Sequence, residues 1–503
     1  MKLGALFSGL PGLDLGAQTE LEISALAYDS RRVKPGTLFF AIHGEKADGH
    51  EFISQALERE AAAIVSEREA PAQLAPQWIK VPKIRRALSQ AGHNFYHHPD
   101  SRLQLMGITG TNGKTTTAFL IESIFRAAGI PSGLLGTIEY RLGGRTVPAG
   151  NTTPESLDLL TYFDELWKGG AKAAVMEVSS HALAQERVWG FHFAAAVFTN
   201  LTQDHLDYHK DFESYFAAKR RLFEGLGTAP PEVAVINADD PWGRRLLELK
   251  YPRLMTYGMN STAEVKVKQF TQGAFGLQAT LATPSGAIEI KSPLLGRPNM
   301  MNILAATATA VGLDIDIKAI GDGIASLCCV PGRFDRVDAG QPFLVLVDYA
   351  HTDDALRNVL KTARELTRNR LIVVFGCGGD RDRAKRPLMG EAAGTLSDLA
   401  VLTSDNPRGE DPLRIMSDAM VGLQKSGRPY LAVEDRETAI RTALESAHEG
   451  DVVVLAGKGH ETYQILRDRT IPFDDHEVAR RMLREMGYHD NGRDGQTADR
   501  VRP

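Results

Sequence analysis

Short apolar runs alternate with helix-like stretches along most of this chain, and together they predict an α/β protein. Residues 38–42 (Leu-Phe-Phe-Ala-Ile) follow a Pro35-Gly36 turn and read as a strand, with a helix over residues 52–57. The apolar run 103–108 enters a glycine-rich turn, and from Thr117 onward the period is helical. Residues 173–178 and 194–199 are further apolar runs, each with polar residues at its C-terminal end. Strand and helix signals in alternation call for a parallel sheet, and ligands of open sheets sit at the C-terminal strand ends. The runs 343–347 and 371–375 begin a second series of the same kind and predict a Rossmann-like sheet.

The helix predicted over residues 211–223 carries an apolar stripe of Phe212, Phe216 and Phe223, and Lys219 falls in phase with it. Arg220 and Arg221 point elsewhere. Two readings stay open for Lys219. Its stem could cover apolar surface while its ammonium reaches water. Alternatively the amine is buried, with a lowered pKa that leaves it neutral and available for chemistry.

Between the run 103–108 and its helix lies Gly110-Thr-Asn-Gly-Lys-Thr-Thr116, the layout of a phosphate-binding loop. Glycines let the backbone aim several N–H groups at one anion. The helix N-terminus and Lys114 add positive charge, and the Thr115 hydroxyl is placed to ligate Mg²⁺. The loop is a variant: Ile108 stands where the common pattern has glycine, and the glycines fall at 107, 110 and 113.

Length and composition then bound the problem. A chain of 503 residues exceeds one core and predicts about three domains: a small α/β unit over 1–97, a central P-loop ATPase with a parallel sheet over 98–331, and a Rossmann-like unit over 332–490. Residues 491–503 are polar and predicted to be disordered. A net charge of -5 leaves no basic surplus for nucleic acid. No apolar run is long enough for a membrane span or signal peptide, and the three cysteines form neither a disulfide framework nor a zinc spacing. Adjacent Cys328 and Cys329 are expected in the core, and the protein in the cytoplasm.

Several polar groups fall where chemistry is expected. Glu177 lies within an apolar run, and a lone buried carboxylate is costly unless paired or bound to metal. His205 and His209 have the spacing of a helical zinc pair, but Leu206 occupies the position where a zinc protease needs glutamate. Glu177 and His205 beside the phosphate loop suit magnesium better. Gly376-Cys-Gly-Gly-Asp-Arg381 has arginine where a dinucleotide fingerprint ends in glycine, which argues against a nicotinamide or flavin cofactor.

Taken together, the motif at 110–116, Glu177-Val-Ser-Ser-His181, residues 200–209 and residues 215–223 resemble the Mur ligases. Asp29-Ser-Arg, Asn151-Thr-Thr-Pro154, Asp405-Asn-Pro-Arg408 and Gly457-Lys-Gly-His-Glu461 narrow the likeness to the branch that adds meso-diaminopimelate. Lys210 stands where the pattern has glycine.

The resemblance implies an ATP-dependent peptide ligase of peptidoglycan synthesis. Its substrates would be ATP, a UDP-muramoyl-dipeptide and meso-diaminopimelate, and it would act as a monomer with Mg²⁺. By resemblance, Gly110, Thr111, Asn112, Gly113, Lys114, Thr115 and Thr116 hold the ATP phosphates. Asn299 and Asn302 lie near adenine, and Arg333 and Asp348 reach the nucleotide from the third unit. Ser30, Thr152, Thr153, Ser179, Gln185 and Arg187 hold the UDP substrate. Arg381, Asp405, Asn406, Pro407, Arg408, Gly457 and Glu461 hold diaminopimelate. Lys219 is implied to be carbamylated and to join Thr115, Glu177 and His205 on the metal.

Overall fold

In this computed structural model, residues 1–44, 47–260, 262–273 and 275–489 are described, so the expectation for 491–503 lies outside the described residues. Three main sheets succeed one another along the chain. The first has four parallel strands, Ala25–Ala27, Thr37–Phe40, Ala63–Ser66 and Trp78–Lys80, in sequential order. The helix Ile84–Phe95 covers it through Ile84, Ala87, Leu88 and Ala91.

The central sheet has eleven strands. At its heart Gln104–Thr109 runs parallel between Ala173–Glu177 and Ala195–Phe198. Successive side chains of a strand face opposite layers. Accordingly Met106 and Ile108 pack with the helices Lys114–Ala127, Arg297–Gly312 and Ile317–Ser326, through Phe119, Leu120, Ile303 and Ile324. Leu105 belongs to the other layer, with Phe163 of Ser156–Lys168 and Tyr215, Phe216 and Phe223 of Phe212–Glu224. The phosphate-loop helix and the Lys219 helix therefore lie on opposite faces and meet at one strand end. That sheet is not wholly parallel. Short antiparallel strands close one edge at 139–148, and the meander Val265–Gly273, Gly276–Thr283, Gly286–Ser292 extends the other. This meander alternates buried and exposed positions, as a sheet covered on one face should.

The third sheet has six strands. Five are parallel, among them Leu344–Asp348, Leu371–Cys377, Leu399–Ser404 and Val452–Ala456, and Asp335–Val337 adds an antiparallel edge. No described helix is long and apolar enough to cross a membrane.

One cysteine expectation is corrected. Cys328 is exposed and Cys329 half-buried, because they follow the end of the helix Ile317–Ser326 and lie on an open connection; Cys377 alone is buried. Lys210 adopts a left-handed φ of 70° after the short helix Leu206–His209. A side chain costs about 1–2 kcal/mol there, and glycine returns part of that as lost chain entropy. Lys210→Gly is therefore expected to raise unfolding stability by about 0.5–1 kcal/mol in a denaturant titration; a lower stability would show that Lys210 makes a compensating contact.

Candidate active site

Two glycines of the phosphate loop are demanded by close approach. A Cβ on Gly110 (φ 146°) would lie 1.8 Å from Thr199 Oγ1, and one on Gly113 (φ 88°) 2.3 Å from Asn302 Oδ1. Gly110→Ala is thus expected to abolish ATP-dependent turnover; activity near the unsubstituted level would mean the loop opens without loss. Thr199 also donates to Asn112 O at 2.7 Å, and the Asn200 side chain braces Asn112 from both its N–H and its carbonyl. These braces hold the turn between two strand ends.

Lys114 folds back over the loop, its Nζ donating to Gly110 O at 3.0 Å and Thr111 O at 2.9 Å. Burial lowers its pKa, while the nearby Glu177 carboxylate acts in the opposite sense. Lys219 reaches the same point from the other layer. It is 1% exposed, donates to Gly110 O at 2.8 Å and lies 4.4 Å from the centre of the Tyr215 ring. The water-reaching reading of Lys219 is thereby excluded. Burial, then the charge of Lys114, pushes its pKa well down. Tyr215 in turn bonds Thr111 Oγ1 at 3.1 Å.

Glu177 is 1% exposed, and its side chain accepts from the Thr137 amide at 2.8 Å and hydroxyl at 3.0 Å. Among the described residues no ion pair reaches this carboxylate. A buried carboxylate served only by neutral donors suits a cation ligand. His205, at φ 54°, sits beside Asp204 and packs edge-on against His181 at 4.8 Å. Burial draws its pKa down to about 4, so its imidazole is neutral and keeps a lone pair. No group of three or more His, Cys, Asp or Glu side chains able to hold a metal occurs among the described residues. An anion made from Lys219 would complete such a set, and with the Thr115 hydroxyl its oxygen donors are the hard ligands Mg²⁺ prefers, with the His205 imidazole as the one softer member.

The other expected residues fall in two neighbourhoods. Thr153 donates to Glu177 O and bonds Ser179, Thr152 meets Thr137 at 3.1 Å, and Arg187 spans Thr153 O and Gln185. Ser30 is buried in the first unit and donates to Gln55 at 2.6 Å; Arg32 there pairs with Asp158 of the central unit. Asn299 and Asn302 bond each other beside the loop helix. From the third unit Arg333 reaches Thr115 Oγ1 at 3.4 Å and stacks on Tyr349. Asp348 is buried beside it and accepts from the Phe334 and Ala350 amides. Beyond the strand ends of the third sheet, Asp405 lies against Gly457 and Asn406 bonds Glu461, Pro407 and Arg408 lie against Gly379, and Arg381 lies exposed near Gly378.

Two contributors were not singled out from the sequence. Thr137 follows the strand Ser132–Leu135, so its place at a C-terminal strand end was the available signal. Thr202 bonds Asn112 and also Asp354 of the third unit at 3.0 Å, a cross-unit contact with no local signature.

Three family profiles match the chain: "Mur ligase family, catalytic domain" over residues 22–96, "Mur ligase middle domain" over 108–310 and "Mur ligase, glutamate ligase domain" over 332–459. A UDP-N-acetylmuramoyl-L-alanyl-D-glutamate–2,6-diaminopimelate ligase of Solibacter usitatus is 55% identical, the alignment covering 97% of this chain and 99% of that protein. The ligase of the same description from Geobacter metallireducens is 47% identical, over 98% and 100% respectively. A solved structure of a ligase so described superposes with a TM-score of 0.69 at 33% identity, covering 97% of this chain and 99% of that one.

Proposed function

The chain belongs to the Mur ligase family, and from that premise we propose how its residues serve the activity. It is an ATP-dependent ligase of peptidoglycan synthesis. It joins an amino group of meso-diaminopimelate to the D-glutamate side-chain carboxylate of UDP-N-acetylmuramoyl-L-alanyl-D-glutamate. The observation that carries the residue assignments is the convergence of Lys114 and Lys219 on one carbonyl, Gly110 O, with Glu177 and His205 beside them.

A carboxylate is a poor electrophile, and ATP remedies this by phosphorylating it. One carboxylate oxygen attacks the γ-phosphorus, ADP departs, and an acyl phosphate forms. Two anions must meet in that step, so positive charge and N–H donors at the phosphates lower the barrier. Lys114, the loop amides of residues 110–116 and Arg333 are placed to provide them. Mg²⁺ held by Thr115, Glu177, His205 and a carbamate on Lys219 would add neutralising charge at the same phosphates. The free amine then attacks the acyl carbon and phosphate leaves with the original carboxylate oxygen.

In this reading Ser30 holds the UDP end, and Thr152, Thr153, Ser179, Gln185 and Arg187 hold the muramoyl-dipeptide. Asn299 and Asn302 border the adenine, and Asp348, which also holds the turn carrying Arg333 through the Phe334 amide, reaches the nucleotide with Arg333 from the third unit. Arg381 and residues 405–408, with Gly457 and Glu461, receive diaminopimelate. The units divide at 97/98 and 331/332, and the enzyme works as a cytoplasmic monomer. With ¹⁸O in the D-glutamate side-chain carboxylate, the label is expected in the released phosphate. Phosphate free of label would exclude the acyl phosphate.

A further inference from the structure

We propose that Lys458 is a positioning residue for amino-acid selection: it locks Asn406 and Glu461 into the orientation that receives the incoming ammonium. The inference rests on the assignment of Asn406 and Glu461 to the diaminopimelate pocket.

Lys458 occupies the turn after the strand Val452–Ala456 and is 0% exposed, so its amine cannot itself touch a substrate that enters from solvent. Inside, Nζ donates to Asn406 Oδ1 at 3.1 Å and to Glu461 Oε2 at 3.3 Å, and it lies 3.9 Å from Asp405 Oδ1. Asn406 Oδ1 also accepts from the Ile465 amide at 2.9 Å, so two donors mark that atom as the acceptor of the side-chain amide. Nδ2 must then point the other way, and it donates to Glu461 Oε2 at 2.8 Å. Two donors therefore occupy Oε2 of Glu461. Its other oxygen makes no hydrogen bond among the described residues and is the one left to accept from an ammonium.

Electrostatics adds to the geometry. Asp405 and Glu461 face the same buried amine, and removing the positive charge would leave two carboxylates to repel each other. The turn is built to place this lysine. Gly457, at φ 115°, lies so close to Asp405 that a Cβ would come within 2.6 Å of its Oδ2, and Gly459, at φ 54°, packs on Tyr349. Lys458 thus acts through Asn406 and Glu461, on which chain of the acceptor is bound and how tightly.

Lys458→Met keeps length and removes the charge. Its expected effect is a rise of at least tenfold in KM for meso-diaminopimelate, with kcat within threefold and the KM values for ATP and the UDP-dipeptide within twofold. Lys458→Met combined with Glu461→Gln should raise that KM by well under the product of the two single effects, because Lys458 acts in part through Glu461. A merely structural lysine would instead lower kcat or disturb all three KM values, and its effect would multiply with that of Glu461→Gln. Either of those results, or an unchanged diaminopimelate KM in Lys458→Met, overturns the proposal. Should Lys458→Met fail to fold, Lys458→Gln, which keeps a polar donor but not the charge, decides: a diaminopimelate KM raised fivefold or more with the KM values for ATP and the UDP-dipeptide unchanged supports the proposal, and an unchanged diaminopimelate KM refutes it. If Glu461→Gln and Arg408→Ala also leave that KM unchanged, the pocket assignment itself falls.

Discussion

Lys219→Ala is expected to lower phosphate release by about 10²–10³-fold or more, the scale of losing one group that stabilises charge in the transition state, and formate or acetate should restore part of it. Lys219 lies on a helix face that otherwise buries Phe216 and Phe223, where a charged ammonium is costly. Burial and Lys114 both drive its pKa down, which favours the neutral amine. A neutral amine adds CO₂ and loses a proton to become a carbamate, converting a cation into the anion that the Glu177 and His205 pair lacks. The small acids test that conversion, because they supply a carboxylate without the lysine stem. Lys219→Arg provides the complementary control: it keeps a cation but cannot be carbamylated, and is expected to be as inactive as Lys219→Ala. Full activity in Lys219→Ala would return the residue to a packing role, and full activity in Lys219→Arg would show that a cation suffices.

The second large effect concerns the acceptor. Arg408→Ala should raise KM for meso-diaminopimelate ten- to a hundredfold while leaving KM for ATP nearly unchanged. Diaminopimelate differs from lysine by a second carboxylate, which a planar guanidinium binds in a fork. Arg408 is held at φ 52°, and its Nη1 donates to Gly379 O at 2.9 Å, anchoring the head group beside the Asn406 and Glu461 pair. A left-handed arginine after Pro407 is a strained conformation of the kind found where a side chain must be aimed. One hydrogen bond to a charged group is worth about 1.5–3 kcal/mol, which converts to about ten- to a hundredfold. Unchanged diaminopimelate kinetics would remove Arg408 from the pocket.

Much of this site could be read before any fold was known, for physical reasons. Glycine spacing and a lysine at a helix start are local, so residues 110–116 point to a phosphate-binding loop from the sequence alone. Lys219 was visible because helical periodicity converts sequence into a face, although only packing could decide between a solvated and a buried amine. Features that depend on distant segments were not legible. Thr202 meets Asp354 across 152 residues of sequence, and Asp348 accepts from the Phe334 amide, 14 residues earlier in the chain. Cys328 and Cys329 looked like core residues by composition, yet the end of the helix Ile317–Ser326 puts them on an open connection. Lys458 belongs to the motif 457–461, and its burial against Asp405 and Asn406 depends on a segment about fifty residues away in sequence. The antiparallel meander after the central parallel strands likewise follows from strand pairing that no single run reveals.

The most direct test of the central claim is steady-state phosphate release with ATP, UDP-N-acetylmuramoyl-L-alanyl-D-glutamate and an amino acid, each omitted in turn, and with meso-diaminopimelate compared against L-lysine. The account predicts release at the full rate only when all three are present, with kcat/KM for meso-diaminopimelate exceeding that for L-lysine by about tenfold or more, the worth of one charged hydrogen bond. Full-rate release from ATP alone, or L-lysine serving equally well, would contradict it.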